Sequence, residues 1–549
     1  MTETTGAASA QRVLEISGLE IRSAGRVLVQ GVDLRIDAGE ILCLVGESGS
    51  GKSLTASAVM GLLPGSLSVS AGSIRLAGQD LAAAGEAQMR RLRGDRVAMV
   101  FQEPMTSLNP LMRVGRQIGE VLQVHRPGLA AARVRARVLE LMRDVHLPTP
   151  ETLVDAFPHQ LSGGQRQRVM IAMALALEPL LIIADEPTTA LDVTTQAQVL
   201  KLFRELLSRH SSAVLFITHD FDVVQDIADH VAVMQSGRLV EQGPAAQVLS
   251  QPRHEYTRRL LAAVPSGRPK PQTHQPAAQA LLSVRRLNLV YESRNLLGAS
   301  RSTHAVADVS FDLERGETLG IVGESGSGKS TLGRCITRAH APTSGEILFD
   351  GTDMALLSGA SLRQARRRVQ MVFQDPYRSL NPRRRIVSAL TEGPMECGLS
   401  AAEARAKAAE LLALVGLPQD SLDRYPHQFS GGQRQRICIA RALAMEPDLV
   451  VADEAVSALD VSVQAQVLEL FASLQRRLGF AMIFITHDLR VAAQICDRIG
   501  VMQRGRLLEL GPARQIVEAP SHAYTRHLFA SLPGRADDAR TPSALETTP

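Results

Sequence analysis

The 549-residue chain contains no tryptophan, and aromatic residues make up only 3% of it. The aromatic interleaving that a nucleic-acid patch uses is missing. Five cysteines, Cys43, Cys335, Cys397, Cys438 and Cys496, lie scattered along the chain. None belongs to a C-x-x-C pair or a His/Cys cluster. That argues against zinc, an iron–sulfur cluster and a disulfide framework, and fits a reducing compartment. Long apolar runs are also missing. Val169 to Leu177 stops at Glu178-Pro179, far short of the roughly 20 residues that cross a bilayer. Met1 to Gln11 is polar and small, so no signal peptide is expected. Strong net charge is absent too. Lys and Arg number 60 against 56 Asp and Glu, a formal +4, which carries no global polyanion-binding signature.

What the chain does have is one stretch written twice. Gly46-Glu47-Ser48-Gly49-Ser50-Gly51-Lys52-Ser53 returns letter for letter as Gly323-Glu324-Ser325-Gly326-Ser327-Gly328-Lys329-Ser330. Each copy follows a short apolar run, Ile41 to Val45 or Thr318 to Val322, and precedes a segment with helical spacing. Strand, glycine loop and helix in that order are the context of a phosphate-binding loop. The glycines let backbone N–H groups turn inward around phosphates, and the helix N-terminus adds a positive dipole end. Lys52 and Lys329 reach the β- and γ-phosphates; Ser53 and Ser330 can hold Mg²⁺. Two copies in context leave little room for an ordinary glycine-rich turn.

The rest of the chain alternates strands and helices. Val13 to Arg22 and Val27 to Ile36 alternate apolar and polar residues, as strands do. The glycine-loop helix is expected to end near Leu63-Pro64-Gly65. Ser73 to Ala77, Val97 to Phe101, Leu180 to Ala184 and Val214 to Thr218 read as strands. A helix-rich region runs from about Val114 to His146, and Val169 to Leu177 continues a helix after a glycine turn. This order predicts an α/β fold with a mostly parallel sheet. Residues 265–281, rich in Pro and Gln, read as a linker. The predicted organisation is a disordered 1–11, a domain over 12–264, the linker, a second domain over 282–533, and a disordered tail over 534–549. Lys52 and Lys329 stand 277 residues apart, Gln102 and Gln374 stand 272 apart, and later landmarks 268. The second half thus reads as a repeat with about nine residues deleted.

Two more stretches recur. Ser162-Gly163-Gly164-Gln165 returns as Ser430-Gly431-Gly432-Gln433. Each is either a simple helix N-cap or a second anion-binding helix start offered to a nucleotide held elsewhere. Asp185-Glu186 and Asp453-Glu454 each end an apolar run. Paired carboxylates at a strand C-terminus sit at the ligand-binding edge of a parallel sheet. Asp185 and Asp453 suit Mg²⁺ through water, and Glu186 and Glu454 suit polarising an attacking water. The plainer reading is that acidic residues merely end the strand; the glycine loop upstream weighs against it.

The order of glycine loop, Gln, Ser-Gly-Gly-Gln, Asp-Glu, Leu-Asp and His resembles the nucleotide-binding subunits of ABC transporters, in two fused copies covering nearly the whole chain. Within that family it resembles the dipeptide/oligopeptide/nickel importers. The finer likeness rests on Phe101-Gln102-Glu103-Pro104 with Ser107-Leu108-Asn109-Pro110, and on Phe373-Gln374-Asp375-Pro376 with Ser379-Leu380-Asn381-Pro382. It continues in His254-Glu255-Tyr256-Thr257-Arg258 and His522-Ala523-Tyr524-Thr525-Arg526. The resemblance implies a P-loop ATPase core in each half, with an antiparallel β subdomain, a helical subdomain and a C-terminal extension. It implies that Gln102 and Gln374 contact Mg²⁺ and the water. It implies that His219 and His487 contact the γ-phosphate, and that Asp192 and Asp460 cross between two sites. It further implies one head-to-tail intramolecular sandwich with two ATP sites, each closed by the Ser-Gly-Gly-Gln of the other half. The implied partners are two membrane permease subunits and a periplasmic or surface solute-binding protein, with the chain on the cytoplasmic face of the inner membrane.

Two departures stand out. Tyr291 falls where the family stacks an aromatic ring on adenine, whereas the first half has Ser23 there. Ala455 replaces the proline present as Pro187, with a minor backbone effect expected. The iron–sulfur cluster that many class members carry is not expected here. The runs Arg366–Arg368 and Arg383–Arg385 read first as a solvated face, second as a permease or lipid-headgroup contact. A soluble tandem ATPase acting on ribosomes or DNA is the main alternative, but the linker is short and Pro-rich and zinc-binding cysteines are lacking. An exporter ATPase is a third; the Tyr-Thr-Arg and Ser-Leu-Asn-Pro stretches favour import.

Overall fold

The computed structural model describes residues 11–103, 107–188, 191–269, 279–294, 300–457 and 459–530. The expected disorder of 1–10 and 534–549, Pro104, and linker residues 270–278 lie outside these. The described chain divides into two compact units, one ending at Ala263 and the next starting at Val264.

In the first unit, strands run in the order Arg238–Pro244, His230–Gln235, Ile41–Val45, Ala213–Thr218, Leu181–Asp185, Val97–Val100. The pairings are parallel except at the outermost hairpin, His230–Gln235 with Arg238–Pro244. Ile41–Val45, Leu181–Asp185 and Ala213–Thr218 are buried at every position. Parallel strands covered on both faces need such unbroken apolar runs. A four-stranded antiparallel sheet stands beside this, in the order Arg26–Asp37, Arg12–Ser23, Leu67–Leu76, Gln79–Asp80. Its inner face (Leu14, Ile16, Ile21, Val29) and the glycine-loop helix share one core with Leu42, Leu44, Leu215 and Ile217. Each large apolar side chain so buried contributes about 1.5–3 kcal/mol. A helical group, Val114–His125, Ala131–Asp144 and Gly163–Leu175, completes the unit. Val134, Val138, Leu141 and Met142 form the buried stripe of its middle helix, spaced as a 3.6-residue repeat requires.

The second unit repeats this plan. Its six strands are Val369–Val372, Leu449–Asp453, Ala481–Thr486, Thr318–Val322, Arg498–Gln503 and Arg506–Pro512, and its four-stranded sheet is built on Ala280–Arg294. The buried row Leu14, Ile16, Leu19, Ile21 matches Leu282, Val284, Leu287, Leu289, each 268 residues on. The lysines stand 277 apart. The second half therefore gains nine residues after its first strand before losing as many later, rather than only losing them.

Three boundaries differ from expectation. The glycine-loop helix ends at Val59, before Leu63. Gly61, at φ 60, and the Leu62 N–H on the Ser57 carbonyl close it as a Schellman turn. The strand expected over 73–77 runs from Leu67 to Leu76; an extra residue at Ser70, between Val69 and Ala71, breaks the alternation of its first half. The helix that Val169 to Leu177 continues starts at the glycine turn, at Gly163, and ends at Leu175 rather than Leu177. Among the described residues no helix is long and apolar enough to cross a membrane.

Candidate active sites

Sheet register assembles the site. Val45 pairs with Thr218, and Asp185 pairs with Ile217. The glycine loop from Gly46, the Asp185-Glu186 pair and His219 therefore leave three neighbouring strands at one edge. The second half matches: Val322 pairs with Thr486, and Asp453 with Ile485. Ligands of parallel sheets bind at this edge.

Within each loop the lysine folds back on its own backbone. Lys52 Nζ donates to the Gly46 carbonyl at 2.7 Å and to that of Glu47 at 3.0 Å. Lys329 Nζ donates to Gly323 and Glu324 carbonyls, both at 2.7 Å. The first glycine is indispensable. Gly46 has φ 149, and a Cβ there would stand 2.2 Å from the Met234 carbonyl; Gly323 has φ 150 and the same distance to Met502.

Ser53 Oγ donates to Asp185 Oδ1 at 3.1 Å, and Ser330 Oγ to Asp453 Oδ1 at 2.7 Å. Burial pushes both aspartate carboxyls above their ordinary range, against the pull of the serine hydroxyls, and Glu186 or Glu454 next door pushes the same way. A buried carboxylate so destabilised, beside a hydroxyl oxygen, is a hard-oxygen set that fits Mg²⁺. Among the described residues no cluster of three or more His, Cys, Asp or Glu is arranged to hold a metal by itself. The magnesium ligands here would be completed by phosphate oxygens and water.

The two glutamates occupy left-handed backbone, Glu186 at φ 46 and Glu454 at φ 47. Such a conformation costs a non-glycine residue about 1–3 kcal/mol and clusters at functional sites. Each is held by its N–H on a neighbouring strand carbonyl, Ile217 or Ile485, at 2.9 Å. Pro187 and Ala455 follow them, and φ at the preceding glutamate is nearly the same in the two halves. Gln102 Nε2 donates to Glu186 Oε2, and Gln374 Nε2 to Glu454 Oε2, both at 2.8 Å. His219 Nδ1 lies 3.2 Å from Glu186 Oε1, and His487 Nδ1 3.5 Å from Glu454 Oε2. In the second pair burial opposes charge on both groups, but the mutual attraction wins. The His487 imidazole is raised and the Glu454 carboxyl lowered from their ordinary values.

The Ser-Gly-Gly-Gln stretches lie at helix starts. Ser162 Oγ accepts the Gln165 N–H at 3.3 Å, and Gln165 Oε1 accepts the Ser162 N–H at 3.0 Å. Ser430 and Gln433 repeat both distances. The N-cap reading is therefore correct locally, as a full capping box whose Ser-x-x-Gln spacing the sequence displays. The two glycines differ. A Cβ on Gly164 would meet Thr195 Cγ2 at 2.4 Å, and one on Gly432 Val463 Cγ1 at 2.3 Å; Gly163 faces open space. Asp192 caps its own helix, Val193–His210, by accepting the Thr195 N–H at 3.0 Å and hydroxyl at 3.1 Å. Asp460 takes the same N-cap position on Val461–Leu478.

Tyr291 is 43% exposed, its ring edge-on to His340 with centroids 6.1 Å apart. Strand register puts Ser23 at the matching place in the first half. The basic runs are partly internal. Arg368 pairs with Asp448 at 2.6 Å and Asp350 at 2.7 Å and lies over the Phe349 ring. Arg384 and Arg385 reach Glu392 and Asp423. One contact had no assigned role in the sequence: the Tyr256 hydroxyl accepts the Glu47 N–H at 3.1 Å, 209 residues away. No local pattern signals such a pairing.

Comparison with known proteins adds the family. The ABC transporter family matches residues 29–189 and 306–457. The oligopeptide/dipeptide transporter C-terminal region matches 240–289 and 508–548. The glutathione import ATP-binding protein GsiA of Salmonella typhimurium (strain LT2) is 46% identical over 558 residues, covering 95% of this chain and 89% of its own. GsiA of Escherichia coli (strain K12) is 47% identical over 541 residues, covering 92% and 86%. GsiA of Pectobacterium atrosepticum is 45% identical over 565 residues, covering 95% and 90%. Two complete loop-and-carboxylate sites, each followed by its C-terminal region, thus identify the chain as a member of the ABC transporter family, an ATP-hydrolysing subunit with two fused cassettes.

Proposed function

We propose that this chain powers import of a peptide or peptide-like solute, glutathione being the first candidate, through two permease subunits fed by a solute-binding protein. The observation that carries this reading is the pairing of two loop-and-carboxylate sites with two oligopeptide/dipeptide-type extensions, in a chain 46% identical to a protein named as a glutathione import ATP-binding protein. The chain works at the cytoplasmic face of the inner membrane, peripherally. A ribosome- or DNA-acting ATPase is not favoured by this pairing.

Each ATP lies on one glycine loop and is closed over by the Ser-Gly-Gly-Gln of the other half in an intramolecular head-to-tail sandwich. Ser162 to Gln165 covers the second loop, and Ser430 to Gln433 the first. Asp192 and Asp460 cross between the sites. Lys52 and Lys329 move from the loop carbonyls to the β- and γ-phosphates. Ser53, Asp185 and Gln102 would hold Mg²⁺ at one site, and Ser330, Asp453 and Gln374 at the other. When bound, the ion neutralises charge on the β- and γ-phosphates. Glu186 and Glu454 accept a proton from the attacking water. Its oxygen bonds to the γ-phosphorus as the bond to the β–γ bridging oxygen breaks, giving ADP and phosphate. His219 and His487 contact the γ-phosphate. Catalysis is positioning and electrostatics, the usual basis of phosphoryl transfer.

The test is ATPase rate with candidate permeases in proteoliposomes, with and without loaded binding protein. Stimulation by glutathione- or peptide-loaded binding protein supports the reading. Turnover indifferent to the membrane subunits but raised by ribosomes or DNA overturns it.

A further inference from the structure

The recurring His-x-Tyr-Thr-Arg stretch has no place in the chemistry above, yet it reaches the glycine loop in both halves. The peptide plane joining Gly46 to Glu47 is engaged on both sides. Its carbonyl accepts Lys52 Nζ at 2.7 Å, and its N–H donates to the Tyr256 hydroxyl at 3.1 Å. In the second half the Gly323–Glu324 plane accepts Lys329 Nζ at 2.7 Å and donates to the Tyr524 hydroxyl at 3.4 Å.

We propose that Tyr256 and Tyr524 are positioning residues for ATP binding: each hydroxyl sets the orientation of the peptide plane on which the loop lysine rests. A glycine peptide turns easily, because no Cβ restrains it. Its direction must be set by its partners. When the lysine leaves the carbonyl for phosphate, the tyrosine is the partner that stays. It then keeps the N–H groups that follow in the loop pointed at the nucleotide.

The tyrosines suit this role because they are themselves held. Tyr256 is 4% exposed and Tyr524 9%. Glu241, on strand Arg238–Pro244, accepts the N–H groups of Arg253 and His254 at 2.7 and 3.0 Å. His254 Nδ1 then accepts the Tyr256 N–H at 3.2 Å. Glu509 likewise accepts the N–H groups of Ser521 and His522 at 2.7 and 3.2 Å, and His522 Nδ1 the Tyr524 N–H at 3.1 Å. A set of hydrogen bonds thus runs from the outermost strand of the sheet through the extension to the loop. It is repeated in both halves although the sequences around it differ.

The test is a double-mutant cycle in the full chain, with Lys329→Ala silencing the second site. ATP affinity is read by equilibrium titration. Tyr256→Phe keeps the ring and removes the acceptor, so the Kd for ATP should rise about fivefold, the loss of one hydrogen bond. Glu47→Pro removes the N–H itself. In that background Tyr256→Phe should change the Kd no further. A loss of the same size in both backgrounds would mean that the tyrosine acts through packing alone, and would overturn the proposal. So would an unchanged Kd in Tyr256→Phe. No ATP binding by the starting chain would overturn the loop assignment itself, and the tyrosine's role with it.

Discussion

Gln102 and Glu186 meet at 2.8 Å, amide nitrogen to carboxylate oxygen, although 84 residues separate them. Gln374 and Glu454 repeat the contact at the same distance. The glutamine therefore rests on the glutamate proposed as the base. Replacing both glutamates tests that base directly. Glu186→Gln with Glu454→Gln should lower turnover by about 10²–10⁴-fold, the range of a general base. ATP binding should persist, because neither lysine is touched. Each single variant should keep one hydrolysing site. Wild-type turnover in the double variant would remove both glutamates as bases.

The two glycines after Ser162 should separate in their effects. Gly164→Ala drives a Cβ into the β-branched Thr195, and overpacking of this kind costs about 1–3 kcal/mol. A lower Tm is the expected result. Gly163→Ala meets nothing within the unit, so Tm should hold. If the proposed sandwich holds, turnover at the second loop should fall. Equal Tm and equal turnover for the two variants would count against the sandwich.

Adenine selectivity should differ between the halves. Tyr291 offers a half-exposed ring and Ser23 offers none. Base stacking on an aromatic ring contributes about 1–3 kcal/mol. Tyr291→Ala should weaken ATP binding at the second site about tenfold, at the low end of that range. Ser23→Tyr should strengthen it at the first. Site-resolved titrations, with Lys52→Ala or Lys329→Ala silencing one site, check both.

The anchoring of the extensions should depend on pH. Burial pushes the Glu241 and Glu509 carboxyls up. The N–H and hydroxyl donors around them more than offset this, and both end below their ordinary value. A carboxyl lowered on folding stabilises the protein above its unfolded pKa. That contribution is lost as pH falls through the lowered folded value. Glu241→Gln and Glu509→Gln should each cost about 1 kcal/mol at pH 7, since these sites are partly solvated. The difference from wild type should shrink as pH drops below about 4.5, the ordinary range of glutamate. Denaturant melts across that range give the answer. A pH-independent difference would assign the loss to packing.

Much of the chain was legible because its signals are local. The glycine loop needs a strand before it and a helix after it, and both are visible as an apolar run and a helical repeat. The capping box shows in Ser-x-x-Gln, and the buried parallel strands show as unbroken apolar runs. Helix ends were less legible. Gly61 stops the first helix through a backbone turn that side-chain periodicity does not encode.

By itself the sequence determined the α/β class, the duplication, both glycine loops and the acidic strand ends, because each is written in contiguous residues with a physical reason for their spacing. Tertiary structure decided what those residues touch. Register, with Val45 opposite Thr218 and Asp185 opposite Ile217, brings loop, carboxylates and histidine to one sheet edge. The left-handed backbone at Glu186 and Glu454 is held by a neighbouring strand carbonyl on each N–H. The tyrosine contacts span 209 and 200 residues. Hydrogen bonds over such distances depend on how strands pack, and no short stretch of sequence carries that information.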